Sequence, residues 1–554
     1  MNKKVCSFPI LFALLALLIG TCAVVFPASA QAAPTSTGSI TVTGTVARSY
    51  DAYQIFSANV VDGDSDAKIA TDLAWASDAV RDAALPVLHS AGMPNSQTTA
   101  QEAAEWLNAD SHLTSALSAQ LARSLQNSGA VFEALKAGTA AELPCGYWLI
   151  VADDDAIAQN EAGTAPIMVL VGGGAVTVKP KAATPKVSKH VLEDGAAAWQ
   201  KAADATVADD LYWRLSATVP AGLSAYDTYA VQLVDTMSAG LDPSKVAESM
   251  RVYVAAGAEG GFDAVPAGKD GRAGTEPAKG WTDITAQCAV SVEGSSFTVR
   301  TGDLIAALGG ADAFIMGARV VAVYNAPLGA NCNRGASKGN PNEVYLRYPR
   351  SPFADQSGDA GFTRTPSDDA CAYTWDLALT KRGSDGDKPL AGAVLSITDD
   401  RGRTLAADGA WDAEGKATVT TGEDGRVTVS GVDSGKLEVR ELKAPKGYTS
   451  FEGKRSVTVK AEGLDVDQVA AAKPKLTITA ESPLRADSAD GSTGSLEASL
   501  INTPTGTPPS ITTGGFMPST GDMAMYAAAA AAVAGAALIV VALLVKRGGG
   551  SHKE

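Results

Sequence analysis

Nucleophilic and metal chemistry is usually built from histidine and cysteine, and neither type clusters in this chain. The four histidines (His89, His112, His190, His552) are scattered along 554 residues. No CxxC or Cys/His spacing suggests a metal site, so neither metal nor cofactor is expected. With no Cys–His or Ser–His grouping, hydrolase chemistry has little support and the chain is expected not to be an enzyme. The stretch that invites chemistry is instead Met517-Pro518-Ser519-Thr520-Gly521, a short polar motif. It stands just ahead of an uncharged apolar run over 523–545 and a Lys546-Arg547 pair. Chemistry there would be done to this chain and not by it.

The elements around that motif give it a setting. The apolar run meets the roughly 20 residues needed to span a bilayer as a helix. The Lys-Arg pair fits a cytoplasmic stop. A plain tail anchor would share helix and charges but would not need Pro-x-Thr-Gly at that spot. The motif resembles the sortase sorting signal of Gram-positive surface proteins, LPxTG, with Met517 in place of Leu. At the other end Lys3 and Lys4 precede an apolar core over 8–25 and a small-x-small site, Ala28-Ser29-Ala30. Cleavage after Ala30 is expected. Lipid attachment at Cys22 is the competing reading, but Thr21 sits where a lipobox wants Gly, Ala or Ser.

Export removes Cys6 and Cys22 and leaves Cys145, Cys288, Cys332 and Cys371 where disulfides are allowed. Cys288 and Cys332 fall in the same predicted sandwich and are the expected pair. Cys145 and Cys371 are left open. The formal net charge of −16 and a pI near 4.8 argue against nucleic acid as a partner. Hydrophobic residues make up 46% of the chain, enough for real cores.

The patterning divides the mature chain. "GSITVTGTV" alternates like a half-buried strand, a helical pattern runs from about Asp66 to Gly138, and strands return at "GYWLIV" and "PIMVLVGGGAVTV". This first unit, 31–181, reads as mixed α/β. A Pro-punctuated basic joint leads to a second unit, 182–372, of short strands that suggest an antiparallel Ig-like sandwich. A third unit, 373–504, carries Asp-Gly turns between alternating strands, the mark of hairpins. The signal peptide occupies 1–30, a stalk with the sorting motif 505–521, and the membrane helix with its tail 522–554. The fold class expected is mainly β: tandem Ig-like sandwiches behind an N-terminal mixed α/β domain.

Three segments together resemble the sortase-polymerised pilins of Gram-positive bacteria. "GSITVTG…YDAYQIF…LPCGYWLI" is similar to the pilin first domain. "ATPKVSKHV…LVDTMSAGLD" is similar to the isopeptide-forming middle domain. "KPLAGAVLSI…TGEDGRVTVSGV…ELKAPKGY…SLINT" is similar to the collagen-adhesin B-type domain. The resemblance implies a structural shaft subunit of a wall-anchored surface pilus, whose precursor passes through the plasma membrane. It implies as partners a sortase, neighbouring pilin subunits, peptidoglycan and a host surface ligand. A non-polymerised wall-anchored adhesin or minor pilin shares every terminal signal and is the alternative.

The resemblance also implies internal chemistry. An isopeptide bond needs a neutral Lys amine, an Asn carboxamide and a protonated carboxylic acid side by side. Burial lowers the lysine's pKa and raises the acid's. The third unit supplies Lys381, Glu441 as the acid, and Asn502, a link between first and last strands. In the middle unit Lys189 and Asp235 occupy the lysine and acid positions, but Arg350 stands where the family's Asn is expected. Asn340 and Asn342 lie nearby, off the expected register. The expectation there is a solvated Lys189, a structural Asp235 and no bond. For polymerisation, the family's acceptor lysine aligns with Lys181, with Lys179 as the alternative, and its amine would be joined to Thr520 of a neighbour.

Overall fold

The computed structural model describes residues 36–506 apart from 45–47, 63–66, 110, 154–156, 158, 181–183, 194–197, 258–279 and 315–316. The sorting motif from Met517 to Gly521, the apolar run 523–545, Lys181 and the signal peptide lie outside the described residues. Among the described residues no helix is long and apolar enough to cross a membrane.

The chain is mainly β. In the first unit the long strand Ser49–Asp62 pairs antiparallel with Lys68–Trp75 and Gly146–Ala152, and Ile167–Val171 extends that sheet. A small sheet joins Thr37–Val42 to Ala140–Pro144 and Val176–Val178. Helices Asp78–Ser90, Ala100–Asn108 and Ser115–Gln126 cover the larger sheet through Val80, Leu88, Leu121 and Leu125. Ser77, Thr99 and Thr114 cap them, and Thr99 with Glu102 forms a reciprocal capping box. The helical pattern was expected from about Asp66, yet Lys68–Trp75 is a strand. Its burial alternates in step with the Ser49–Asp62 strand beside it, which outweighs the local composition.

The middle unit is a two-sheet sandwich. One sheet orders Ala198–Gln200, Val187–Glu193, Tyr212–Val219, Ala318–Asn325, Arg251–Ala256 and Thr282–Asp283. The other orders Ala202–Asp204, Asp368–Tyr373, Asn340–Pro349, Gln232–Met237, Ser296–Arg300 and Ala289–Glu293, with Phe362–Arg364 against Asn340–Pro349. Trp213, Tyr229, Phe297, Phe314, Tyr324 and Tyr348 fill the space between them.

The third unit repeats the plan. Arg426–Val432, Trp375–Gly383, Ser495–Pro504 and Tyr448–Thr449 form one sheet, and Val394–Thr398, Gly435–Lys443, Lys454–Glu462 and Lys475–Ala480 lead the other. Trp375–Gly383 and Ser495–Pro504, the first and last strands, run parallel side by side. Polar contacts tie this unit to the middle one: Asp204 accepts from Trp375 Nε1 and the Ser434 amide, each at 2.7 Å. Asp209 accepts from Arg401 at 2.6 Å and from Arg403 at 2.7 Å.

Candidate functional site

Each sandwich holds a lysine, a carboxylic acid and an asparagine in its interior. In the third unit Lys381 lies near the end of the first strand, Trp375–Gly383, and points inward, 0% exposed. Glu441 reaches across from the facing Gly435–Lys443 strand and Asn502 sits near the end of the last strand, 6% and 2% exposed. Lys381 Nζ is 3.7 Å from Glu441 Oε1 and donates to the Leu500 carbonyl at 3.1 Å. Asn502 Nδ2 donates to both carboxylate oxygens of Glu441 at 2.9 Å, while its own Oδ1 has no protein partner. Burial pulls the Lys381 amine down to about 8, against the opposing pull of Glu441. All three residues singled out in the sequence of this unit come together.

The middle cluster departs from expectation. Lys189 is not solvated: it is 0% exposed, as are Asp235 and Asn342. Lys189 lies on the Val187–Glu193 strand of one sheet, and Asp235 and Asn342 on neighbouring strands of the other. Lys189 Nζ donates to Asp235 Oδ2 and, at 2.9 Å, to the Tyr324 hydroxyl. Tyr324 donates to Asp235 Oδ2 at 2.9 Å and accepts from Asn342 Nδ2 at 2.8 Å. Burial lowers the lysine to about 8, with Asp235 opposing, and raises Asp235, with Lys189 opposing. In so dry a site the pair can exist as neutral amine and neutral acid, the form from which an amine attacks an amide.

Arg350 is not part of this cluster. It follows the Asn340–Pro349 strand, and its carbonyl accepts from the Gly163 amide of the first unit at 2.6 Å. That places it eight residues, roughly 25 Å of extended chain, beyond Asn342. The signal for Asn342 was present in the strand's period of two: Asn340, Asn342, Val344, Leu346 and Tyr348 all face inward. Asn340 is fully engaged, donating to the Asn333 and Ala372 carbonyls and accepting from the Asn333 amide. Asn342 Oδ1 has no protein partner. Tyr324 carried no sequence signal as a site residue.

The remaining candidates stand apart. Lys179 is exposed just after the Val176–Val178 strand. Cys288 and Cys332 do not pair, and all four described cysteines are free thiols. Cys288 donates to the Ile284 carbonyl at 3.3 Å, while Cys332 accepts from Arg334. Sharing one sandwich therefore does not bring their sulfurs together.

Residues 376–473 match the SpaA prealbumin-like fold domain. The matched stretch lies within the third unit, from its first strand to just short of the Lys475–Ala480 strand. A curated relative, the trypsin-resistant surface T6 protein of Streptococcus pyogenes, is 31% identical over 120 residues, 20% of this chain and 20% of the relative. The match thus spans about a fifth of that relative's length. Among solved structures, the T6 backbone pilin of serotype M6 Streptococcus pyogenes aligns with 86% of this chain and 100% of its own, with 16% identity and a TM-score of 0.47. The full-length major pilin SpaD of Corynebacterium diphtheriae aligns with 86% and 100%, with 15% identity and a TM-score of 0.42. Both are looser likenesses than the SpaA match.

Proposed function

We propose that this chain is a structural subunit of a covalent pilus on a Gram-positive surface, with internal isopeptide bonds in two of its domains. The observation that carries the reading is the pair of buried lysine–acid–asparagine clusters, each inside its own sandwich. One lies in a domain that matches the SpaA family, and the relatives named above are surface or pilin proteins. In the third domain the Lys381 amine attacks the Asn502 carboxamide with Glu441 as acid. In the middle domain Lys189 attacks Asn342 with Asp235 as acid, so that the bond is formed there after all, through an asparagine eight residues before Arg350. Ammonia leaves in both reactions.

Assembly follows from the terminal signals. A membrane-bound sortase cleaves between Thr520 and Gly521 and holds the Thr520 carbonyl as a thioester. The Lys181 amine of a neighbouring subunit, with Lys179 as the alternative, then resolves it. Peptidoglycan takes the place of the lysine at the base of the fibre. The chain is substrate in these steps, and its internal reactions turn over once.

Intact mass and peptide mapping of the recombinant chain test the internal chemistry. Loss of two ammonia masses, with Lys189 joined to Asn342 and Lys381 to Asn502, is expected; full mass with free amines would refute it. Denaturing gels of wall extracts test assembly. A ladder of high-mass species is expected, and a single band would point to a wall-anchored adhesin or minor pilin.

A further inference from the structure

The two clusters differ in how the acid reaches the leaving group. Glu441 touches Asn502 Nδ2 directly with both oxygens. Asp235 is one methylene shorter, and its hydrogen-bond partners are Lys189 and Tyr324, with Oδ1 unpartnered. Asn342 Nδ2 donates to Tyr324 instead. The Tyr324 hydroxyl thus occupies the gap between acid and amide, 2.9 Å from Asp235 Oδ2, 2.8 Å from Asn342 Nδ2 and 2.9 Å from Lys189 Nζ. Its ring is fully buried and held edge-on by Phe297 at 4.7 Å, so the hydroxyl is fixed in place.

We propose that Tyr324 is a catalytic proton relay of the middle domain, carrying the proton of Asp235 to the amide nitrogen of Asn342. This rests on the Lys189–Asn342 reading above. Asp235 first takes a proton from the Lys189 ammonium, which leaves a neutral amine and a neutral acid. The amine lone pair forms the Nζ–Cγ bond and the carbonyl electrons move to Oδ1. Tyr324 gives its hydroxyl proton to Nδ2 and receives the proton of Asp235. The now anionic Asp235 takes a proton from the cationic Nζ. Collapse of Oδ1 breaks the Cγ–Nδ2 bond and expels ammonia, leaving a neutral amide and a neutral Asp235. Charge and protons balance with no outside reagent.

Burial, with the Asp235 carboxylate adding to it, holds the Tyr324 phenol well above its ordinary value. The hydroxyl therefore keeps a proton before and after the transfer, as a relay must. The arrangement also assigns a cause to the difference between domains: an aspartate suffices where a hydroxyl completes its reach.

The test is Tyr324→Phe in the recombinant chain carrying all described domains, followed by peptide mapping over time after a pulse of synthesis, because a link once formed survives denaturation. Formation of the Lys189–Asn342 link should slow by roughly a hundredfold, the usual weight of a positioned proton-transfer group. The Lys381–Asn502 link in the same molecule should form at the wild-type rate, and protection of the Tyr212–Val219 and Ala318–Asn325 amides from hydrogen exchange shows that the middle domain has folded. A wild-type rate for the Lys189–Asn342 link in the variant would overturn the relay while leaving the cross-link intact. Absence of that link from the wild-type chain would overturn the underlying reading and the relay with it. Should Tyr324→Phe fail to fold, 3-fluorotyrosine placed at Tyr324 keeps the shape and hydroxyl but makes it more acidic. The rate of ammonia loss should then change, and an unchanged rate would overturn the relay.

Discussion

Asn502→Ala removes the electrophile of the third domain and leaves Lys381 as a free amine in an apolar interior. Two contributions to stability are then lost. The first is the link itself, which closes a loop of about 120 residues between the first and last strands; by the chain-entropy estimate that is worth about 5 kcal/mol. The second is electrostatic. In the linked protein the lysine nitrogen is an amide and does not titrate. With the amine unlinked, burial holds it at about 8 against an ordinary 10.5, with Glu441 opposing. The unfolded chain therefore binds more protons than the folded chain between those two values, and stability climbs as pH rises through that window. A shift of that size corresponds to about 3 kcal/mol, nearly all of it unfavourable at pH 7 and absent by about pH 11. The variant should lose about 8 kcal/mol at pH 7, a drop of roughly 25 °C in the melting temperature of a domain this size. It should recover about 3 kcal/mol on titration to high pH, while the wild type shows no such gain from this residue. Calorimetry of the recombinant chain from pH 7 to 10.5 reads both quantities. A variant that melts within a few degrees of wild type at pH 7 would refute the cross-link, and a flat difference across the pH range would refute the buried-amine account.

Three further outcomes are expected. Asn342→Ala should abolish the middle-domain link, whereas Asn340→Ala should keep it and lose only about 1–3 kcal/mol from unmade buried hydrogen bonds; peptide mapping separates them, and a link surviving in Asn342→Ala would sink the assignment. Thr520→Ala should leave the chain in the membrane fraction and unpolymerised, which wall fractionation checks. Lys181→Ala should collapse the high-mass ladder to monomer while Lys179→Ala leaves it; the reverse pattern would move the acceptor to Lys179.

The third domain was the most legible part of the sequence. There the family resemblance pointed to Lys381, Glu441 and Asn502 one by one, and they meet although two lie on parallel strands far apart in sequence and the third on the facing sheet. The middle domain was harder because its cluster is assembled from four strands in two sheets, and register there depends on pairing across long sequence separations. Aligning a family segment onto 348–352 led to Arg350, while the alternation of the strand turns both Asn340 and Asn342 inward and only the facing sheet separates them. Tyr324 sits in an apolar run, "ARVVAVYNA", where a tyrosine reads as core; its hydroxyl matters only once the facing sheet is known. The Cys288–Cys332 expectation failed for a related reason. Membership of one sandwich says nothing about which sulfurs meet, and disulfides need closely matched Cβ positions.

The placement of the two proposed links also determines where a pulled subunit gives way. Tension entering at Lys181 and leaving at Thr520 crosses from Lys189 to Asn342 through one bond and from Lys381 to Asn502 through the other. Residues 190–341 and 382–501 are shunted out of the load path. What stays in it is the stretch between the bonds, roughly 40 residues that include most of the Asn340–Pro349 strand and all of Asp368–Tyr373. These two strands pair antiparallel, with Asn342 opposite Ala370, and only non-covalent contacts hold them under load. Extended fully, 40 residues span about 140 Å. A wild-type subunit pulled through its ends should therefore lengthen by no more than about 140 Å beyond the slack of its linkers. In Asn342→Ala the load path lengthens to the roughly 190 residues from Lys189 to Lys381, and the gain should rise to about 650 Å. Single-molecule force extension measures both. A wild-type extension well beyond the shorter limit would mean that at least one of the two bonds does not carry the load. Equal extensions in the two proteins would mean that it does not form.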